Sequence, residues 1–188
     1  VRFSFELARK RAEQHGREPH LTCTTKYNML ARSDGYFRDI AEELAIEYPD
    51  VRFDTFIIDD FACRMITQPQ AFDVVVMPNL YGDIMSDGAA GLVGGFGLAA
   101  SGCYGHDYAY FESAHGTAPD IAGQDRINPT ATLLSAVMML EWLGLGEAAT
   151  ALDRAVSRVY AEGRTIPVDQ GGTATTGEFA NAVADLLN

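Results

Sequence analysis

The sequence predicts an α/β fold. Short runs rich in β-formers alternate with longer helix-period segments, and one run, Ala71 to Met77, carries Phe72, Val74, Val75 and Val76 in the manner of a strand buried in a parallel sheet. No internal repeat or low-complexity tail interrupts this alternation. Phe3, Leu7 and Ala8 give Arg2 to His15 a helical period, which Gly16 ends. His20 to Thr25 alternates Leu21, Cys23 and Thr25 as a strand does. Ser33 is placed to N-cap a helix running through Tyr48, with Tyr36, Phe37, Ile40, Ala41 and Leu44 on one face and Pro49 as its stop. Val51 to Ile58 reads as a strand, Asp60 to Thr67 as a short helix, and Ala71 to Met77 as the buried strand. Ile84 to Leu92 reads as a helix built with small residues. The glycine-rich stretch Gly94 to Gly105 reads as a connector between lobes. Thr130 to Leu143 and Leu152 to Ala161 are helical, and Thr175-x-x-Glu178 is a capping box that opens the last helix.

Composition narrows the function classes. The 188 residues are 47% hydrophobic, enough for a real core. A formal net charge of −12 argues against nucleic acid or an anionic membrane as partner. An anionic substrate stays open, because a bound divalent cation reverses the local field. Cys23, Cys63 and Cys103 are widely spaced and form no CxxC pair, which fits a reducing cytoplasm. No run of about 20 apolar residues suggests a transmembrane helix, and no basic-plus-apolar leader is visible. The chain opens on Val1 directly in an amphipathic pattern, so an upstream portion is expected.

The segment from Phe72 to Asp87 carries the chemistry. It joins the buried strand to a helix on which Asp83 and Asp87, four residues apart, share a face. Asp59 stands at the end of the preceding predicted strand, and parallel strands open on one side. Three carboxylates converging there suit Mg²⁺ or Mn²⁺. Spacing alone favours a plainer reading, in which Asp83 complements a helix N-terminus and Asp87 is solvated. Lys26, in Thr24-Thr-Lys-Tyr-Asn28, follows a strand and is by itself an ordinary surface charge. Phe111 to Gly123, followed by Asn128-Pro-Thr130, is by itself a solvated loop of turn formers. No G-x-G-x-x-G fingerprint occurs anywhere.

Asn79-Leu-Tyr-Gly-Asp-Ile-Met-Ser-Asp87, followed by Gly91-Leu-Val-Gly-Gly-Phe-Gly97, resembles the signature of the isocitrate and isopropylmalate dehydrogenase family of β-decarboxylating dehydrogenases. The resemblance extends through Asp169-Gln-Gly-Gly-Thr-Ala-Thr-Thr176 and covers the family's C-terminal half. It implies that family's two-lobed fold, here only in part. Residues 1–93 would belong to the small lobe for substrate binding and dimerisation, and residues 94–188 to the C-terminal part of the large NAD-binding lobe. The catalytic tyrosine, the arginine clamp and the specificity loop are then expected upstream, in about 140 further residues.

The resemblance also implies roles. Asp83 and Asp87 would bind the metal in one subunit, with Asp59 reaching it from the other. Lys26, with Asp59, would be catalytic, again at the partner's site, because a lysine beside a metal-bound hydroxyl can assist its deprotonation. Asn28 would face the nicotinamide, and His115, Gly116, Ala118 and Asn128 would border the adenosine. Asp120 would accept ribose hydroxyls and repel a 2′-phosphate, which points to NAD rather than NADP. The implied activity is NAD-dependent and Mg²⁺- or Mn²⁺-dependent oxidative decarboxylation of a (2R)-2-hydroxy acid by a homodimer or higher oligomer with shared active sites. Met77 to Asp83 and Glu112 to Asp120, with Thr117 where isopropylmalate enzymes more often have serine, favour isocitrate. Isopropylmalate, homoisocitrate and tartrate or malate stand as alternatives. In another class stand a non-catalytic regulatory subunit and an inactive fragment. Retention of Lys26 with all three acids weighs against the regulatory subunit.

Overall fold

The computed structural model describes residues 1–187 and divides into two compact units, Val1–Ala89 and Ala90–Asn188. In the first unit, β1 (His20–Thr25) lies between β2 (Arg52–Ile57) and β3 (Val74–Val76) and pairs parallel with both. Parallel pairing requires helical crossovers. These are α2 (Asp34–Ala45) between β1 and β2, and α3 (Ile58–Thr67) between β2 and β3. Helix α1 (Arg2–His15) precedes β1 and ends on Gly16, whose φ of 62° is the left-handed cap that glycine adopts without strain.

Alternation along the strands sorts the packing. Phe5 and Ala8 of α1 meet Leu21, Val51 and Val74, with Phe53, Leu44 and Ala45 against them. Phe5 is fully buried and stacks on Tyr48 at 4.6 Å between ring centroids. Phe56, one strand position out of phase with Phe53, makes an edge contact with Phe72, as does Phe61 of α3. Residues Leu21 to Thr25 are all buried, so β1 is covered on both faces.

In the second unit, β4 (Ala100–Tyr104) and β5 (Ala109–Ser113) form an antiparallel hairpin under α5 (Thr130–Trp142). The Ser135 hydroxyl fixes the helix to the hairpin. It donates to the Glu112 carbonyl at 2.6 Å and accepts from the Ser101 amide at 3.2 Å. Helix α6 (Gly146–Glu162) and α7 (Thr176–Asp185) close a core of Ala155, Val156, Val159, Phe179 and Val183. The Thr175–Glu178 capping box is present in both directions, at 3.2 and 2.9 Å.

The mixed α/β class and the parallel sheet agree with the sequence, while several boundaries move. The expected connector at 94–105 contains β4, which local pattern does not reveal because Ala-Ser-Gly-Cys-Tyr has little strand propensity. Its small residues answer to packing: a Cβ at Gly102 would stand 2.9 Å from the Phe111 ring and 3.1 Å from Met138. Ser33 makes no side-chain cap, and α2 stops at Ala45 rather than Tyr48, whose ring turns into the core. Helix α4 spans Asn79–Val93, beginning five residues before Ile84, and α6 begins six before Leu152. The strand expected from Ala71 contracts to Val74–Val76, because Pro69–Ala71 forms a 3₁₀ turn. No described helix is long and apolar enough to cross a membrane.

Phe5→Ala removes a fully buried ring and its stacked partner's contact. It should destabilise the first unit by ~3–5 kcal/mol in urea denaturation. Thr175→Ala should cost about 1 kcal/mol, confined to the second unit. A Phe5→Ala loss below about 1 kcal/mol would mean the ring is not central to that core.

Candidate active site

The parallel sheet brings the C-terminal ends of β1, β2 and β3 to one edge. Lys26 is the first residue beyond β1. Its carbonyl accepts from the amides of Met29 (3.0 Å) and Leu30 (2.9 Å), so the chain turns back immediately. Its own amide donates to Asp34 Oδ2 at 2.8 Å. Asp59 lies in the first turn of α3, not at a strand end, because the helix starts at Ile58. The Lys26 ammonium donates to Asp59 Oδ2, joining two of the strand exits. That hydrogen bond, more than the charge itself, holds the Asp59 carboxyl below the ordinary carboxylate range, against a smaller opposing effect of burial. An ion pair this exposed contributes little stability.

The third exit leads through Met77 and Pro78 into α4. Asp83 and Asp87 are both exposed there, one turn apart on one helix face. Because α4 begins at Asn79, Asp83 lies beyond the first turn, where the helix dipole acts weakly on it. The plainer reading of Asp83 as a helix-terminus acid therefore loses its basis. Tyr81, just ahead of Asp83, has its phenol pushed up by burial first, then by a hydrogen bond to Asp34 and the charges of Asp34 and Asp59. The start of α4 thus stands near the Lys26–Asp59 pair. Among the described residues no three His, Cys, Asp or Glu side chains of one chain form a group able to hold a metal ion.

The predicted cofactor residues fall in both units: Asn28 is exposed in the turn after Lys26, and the others lie in the second unit. His115 and Gly116 follow β5, and Ala118 precedes a 3₁₀ turn, Pro119–Ile121, that contains the exposed Asp120. Ala118 has φ 43°, a left-handed conformation that a residue with a Cβ adopts at a cost of roughly 1–2 kcal/mol. His115 Nδ1 lies 2.9 Å from the Gly116 carbonyl, while its Nε2 is buried without a hydrogen-bond partner among the described residues. An orphaned ring nitrogen in a strained loop fits a segment shaped for a ligand.

Asn128 is buried, and its side chain is engaged internally. Its amide donates to the Tyr160 hydroxyl (3.1 Å) and Asp169 Oδ2 (3.2 Å), and its oxygen accepts from the Thr130 amide (3.0 Å) at the start of α5. Any contact it makes with an adenine therefore falls to its backbone. Cys23 is no nucleophile candidate, since burial pushes its thiol up to about 12.

Two residues at the site escaped the sequence reading. Asp34 was hidden by the expected Ser33 cap, and Tyr81 by its place between better-marked residues. The only sequence trace of Asp34 is a carboxylate at a helix start, which ordinarily means nothing more than a favourable dipole.

A family model described as isocitrate/isopropylmalate dehydrogenase matches residues 1–183. A 3-isopropylmalate/3-methylmalate dehydrogenase of Methanocaldococcus jannaschii is 50% identical over 183 residues, 97% of this chain and 54% of that protein. A probable mitochondrial isocitrate dehydrogenase [NAD] subunit alpha of Caenorhabditis elegans is 50% identical over 177 residues, 94% of this chain and 48% of that protein. The crystal structure of isocitrate dehydrogenase from Methylococcus capsulatus superposes with a TM-score of 0.90 at 42% identity, covering 97% of this chain and 54% of that one. The chain thus spans about half the length of the relatives it matches.

With its pKa depressed in the folded chain, the Asp59 interaction is fully present above the ordinary carboxylate range and is lost as pH falls through the lowered value. Lys26→Met should raise the Asp59 titration in the metal-free chain toward the ordinary carboxylate range, read by carboxyl carbon NMR. An unchanged midpoint would show that Lys26 does not hold Asp59.

Proposed function

The chain belongs to the isocitrate/isopropylmalate dehydrogenase family, and on that premise we propose that the complete protein carries out NAD-dependent oxidative decarboxylation of a (2R)-2-hydroxy acid, with isocitrate as first substrate. One observation carries the reading: a parallel sheet delivers a lysine–carboxylate pair, Lys26 with Asp59, to the edge where α4 presents Asp83 and Asp87. Isopropylmalate, homoisocitrate and tartrate or malate are the alternative substrates, and the names of the relatives divide between isocitrate and isopropylmalate.

Asp83 and Asp87 would hold Mg²⁺ or Mn²⁺, since paired carboxylates with open solvent access suit a hard cation that keeps substrate oxygens in its shell. When bound, that cation supplies charge stabilisation for negative charge developing on the substrate. Lys26 takes part in removing the proton of the C2 hydroxyl, with Asp59 orienting its amine. A site that uses Asp59 with Asp83 and Asp87 would draw on two copies, a reading in keeping with the finding that among the described residues no three such side chains of one chain form a group able to hold a metal ion. Exposed apolar side chains on α4, Leu80 at 65% and Ile84 at 55%, support a second copy packing there. The His115-to-Asp120 loop would take the adenosine of NAD, with the His115 ring beside it and Asp120 at the ribose hydroxyls. When bound, NAD would supply the acceptor for the hydride from C2. The proposed setting is the cytoplasm, with neither nucleic acid nor membrane as partner.

Assay of the complete protein with each hydroxy acid, NAD and Mn²⁺ tests the activity. Asp83→Asn should abolish metal-dependent turnover with the fold intact, and Lys26→Met should abolish it too. Mixed dimers of these two variants should regain about a quarter of wild-type activity, because one of the two shared sites is then fully wild type in half of the dimers. No recovery on mixing would mean that the sites are not shared.

Cofactor choice has its own test. Asp120→Lys should move the preference toward NADP, through lost ribose hydrogen bonds and reversed charge, each on the order of 1–3 kcal/mol. A wild-type enzyme that already prefers NADP would overturn the role of Asp120.

A further inference from the structure

Asp34 is the first residue of α2, and its exposure is only 6%. A carboxylate that merely favours a helix N-terminus belongs in solvent, where it carries no desolvation cost. Serine or asparagine would serve a helix start without burying a charge. No cation pairs with Asp34 among the described residues. Its charge is met by neutral donors, the Lys26 amide at Oδ2 (2.8 Å) and the Ser33 hydroxyl at Oδ1 (3.1 Å). Its carbonyl also accepts from the Thr25 hydroxyl at 3.3 Å. One buried residue at the start of α2 thus grips the chain where β1 ends.

We propose that Asp34 is a positioning residue, whose carboxylate anchors the Lys26 turn to the start of α2 and thereby fixes the Lys26–Asp59 pair at the edge of the sheet. The role rests on the functional reading above, since it presumes that Lys26 acts in turnover. Without that carboxylate, Lys26 keeps its side chain but loses the anchor of its backbone. A misplacement of about 1 Å in a reacting group is enough to cost on the order of 100-fold.

The test uses the complete enzyme and compares Asp34→Ala, Asp34→Asn and Asp34→Ser. Asp34→Ala should lower kcat by at least ~10-fold while the KM for NAD stays within about twofold. Asp34→Asn should recover most of the loss: its oxygen still accepts from the Lys26 amide, and its amide donates to the Ser33 hydroxyl, which is free to turn around. Asp34→Ser keeps a residue that suits a helix start but is too short to hold the Lys26 amide, so it should lower kcat as Asp34→Ala does. Asp73→Asn is the control, a carboxylate with a similarly buried side chain in the same unit that pairs with Arg11 and Arg17. It should lower the melting temperature without touching kcat. The inference is overturned if Asp34→Ala does the same as the control. Should Asp34→Ala not fold, Asp34→Ser decides, and an unchanged kcat there overturns it. Activity that survives Lys26→Met would instead sink the functional reading. Loss with Lys26→Met but not with the Asp34 variants would sink this inference alone.

Discussion

Parallel pairing of β1 with both β2 and β3 is the constraint on which the rest depends. It demands helices between the strands, and these cover both faces of β1 and bury Leu21 to Thr25. It also sends all three strands out on one edge. Lys26, Asp59 and the start of α4 are far apart in sequence, yet each is the next thing the chain does after leaving the sheet. The lysine–carboxylate pair therefore follows from topology, with no special conformation required at either residue.

Electrostatics at this edge run against the character of the chain. The protein carries a formal charge of −12, and its candidate site adds Asp34, Asp59, Asp83 and Asp87 within a short span of elements. Lys26 offsets one of these, and the donors around Asp34 offset another without a cation. Asp83 and Asp87 are left facing solvent as an uncompensated pair. Such an arrangement repels anions unless a divalent cation offsets it.

The second unit reaches its loop geometry by different means. Asn128 donates to both Tyr160 and Asp169, which lie in elements remote in sequence. Gly94 admits the Gln170 side chain, whose amide donates to the Gly94 carbonyl at 2.9 Å; any Cβ there would lie 2.5 Å from Gln170 Oε1. The loop between β5 and this framework's Asn128 keeps Ala118 left-handed and leaves His115 Nε2 without a hydrogen-bond partner among the described residues. A strained, incompletely satisfied loop of this kind is the physical pattern of a preorganised ligand segment.

The sequence by itself determined the α/β class, α1, β1 and the capping box of α7, because periodicity and local capping chemistry are properties of neighbouring residues. It also determined that Asp83 and Asp87 share a face, since helical spacing alone requires it. The tertiary structure decided what local preference could not. It made a strand of Ala100–Tyr104 against weak propensity, because α5 needs small residues beneath it. It moved Asp59 into a helix by starting α3 at Ile58, a buried residue whose side chain the core takes. It committed the Asn128 side chain to Tyr160 and Asp169, partners at least 32 residues away. Most of all, it buried Asp34 against the Lys26 amide. A charge enters the interior only where donors converge on it, and the Lys26 amide is held in place only once the sheet has formed.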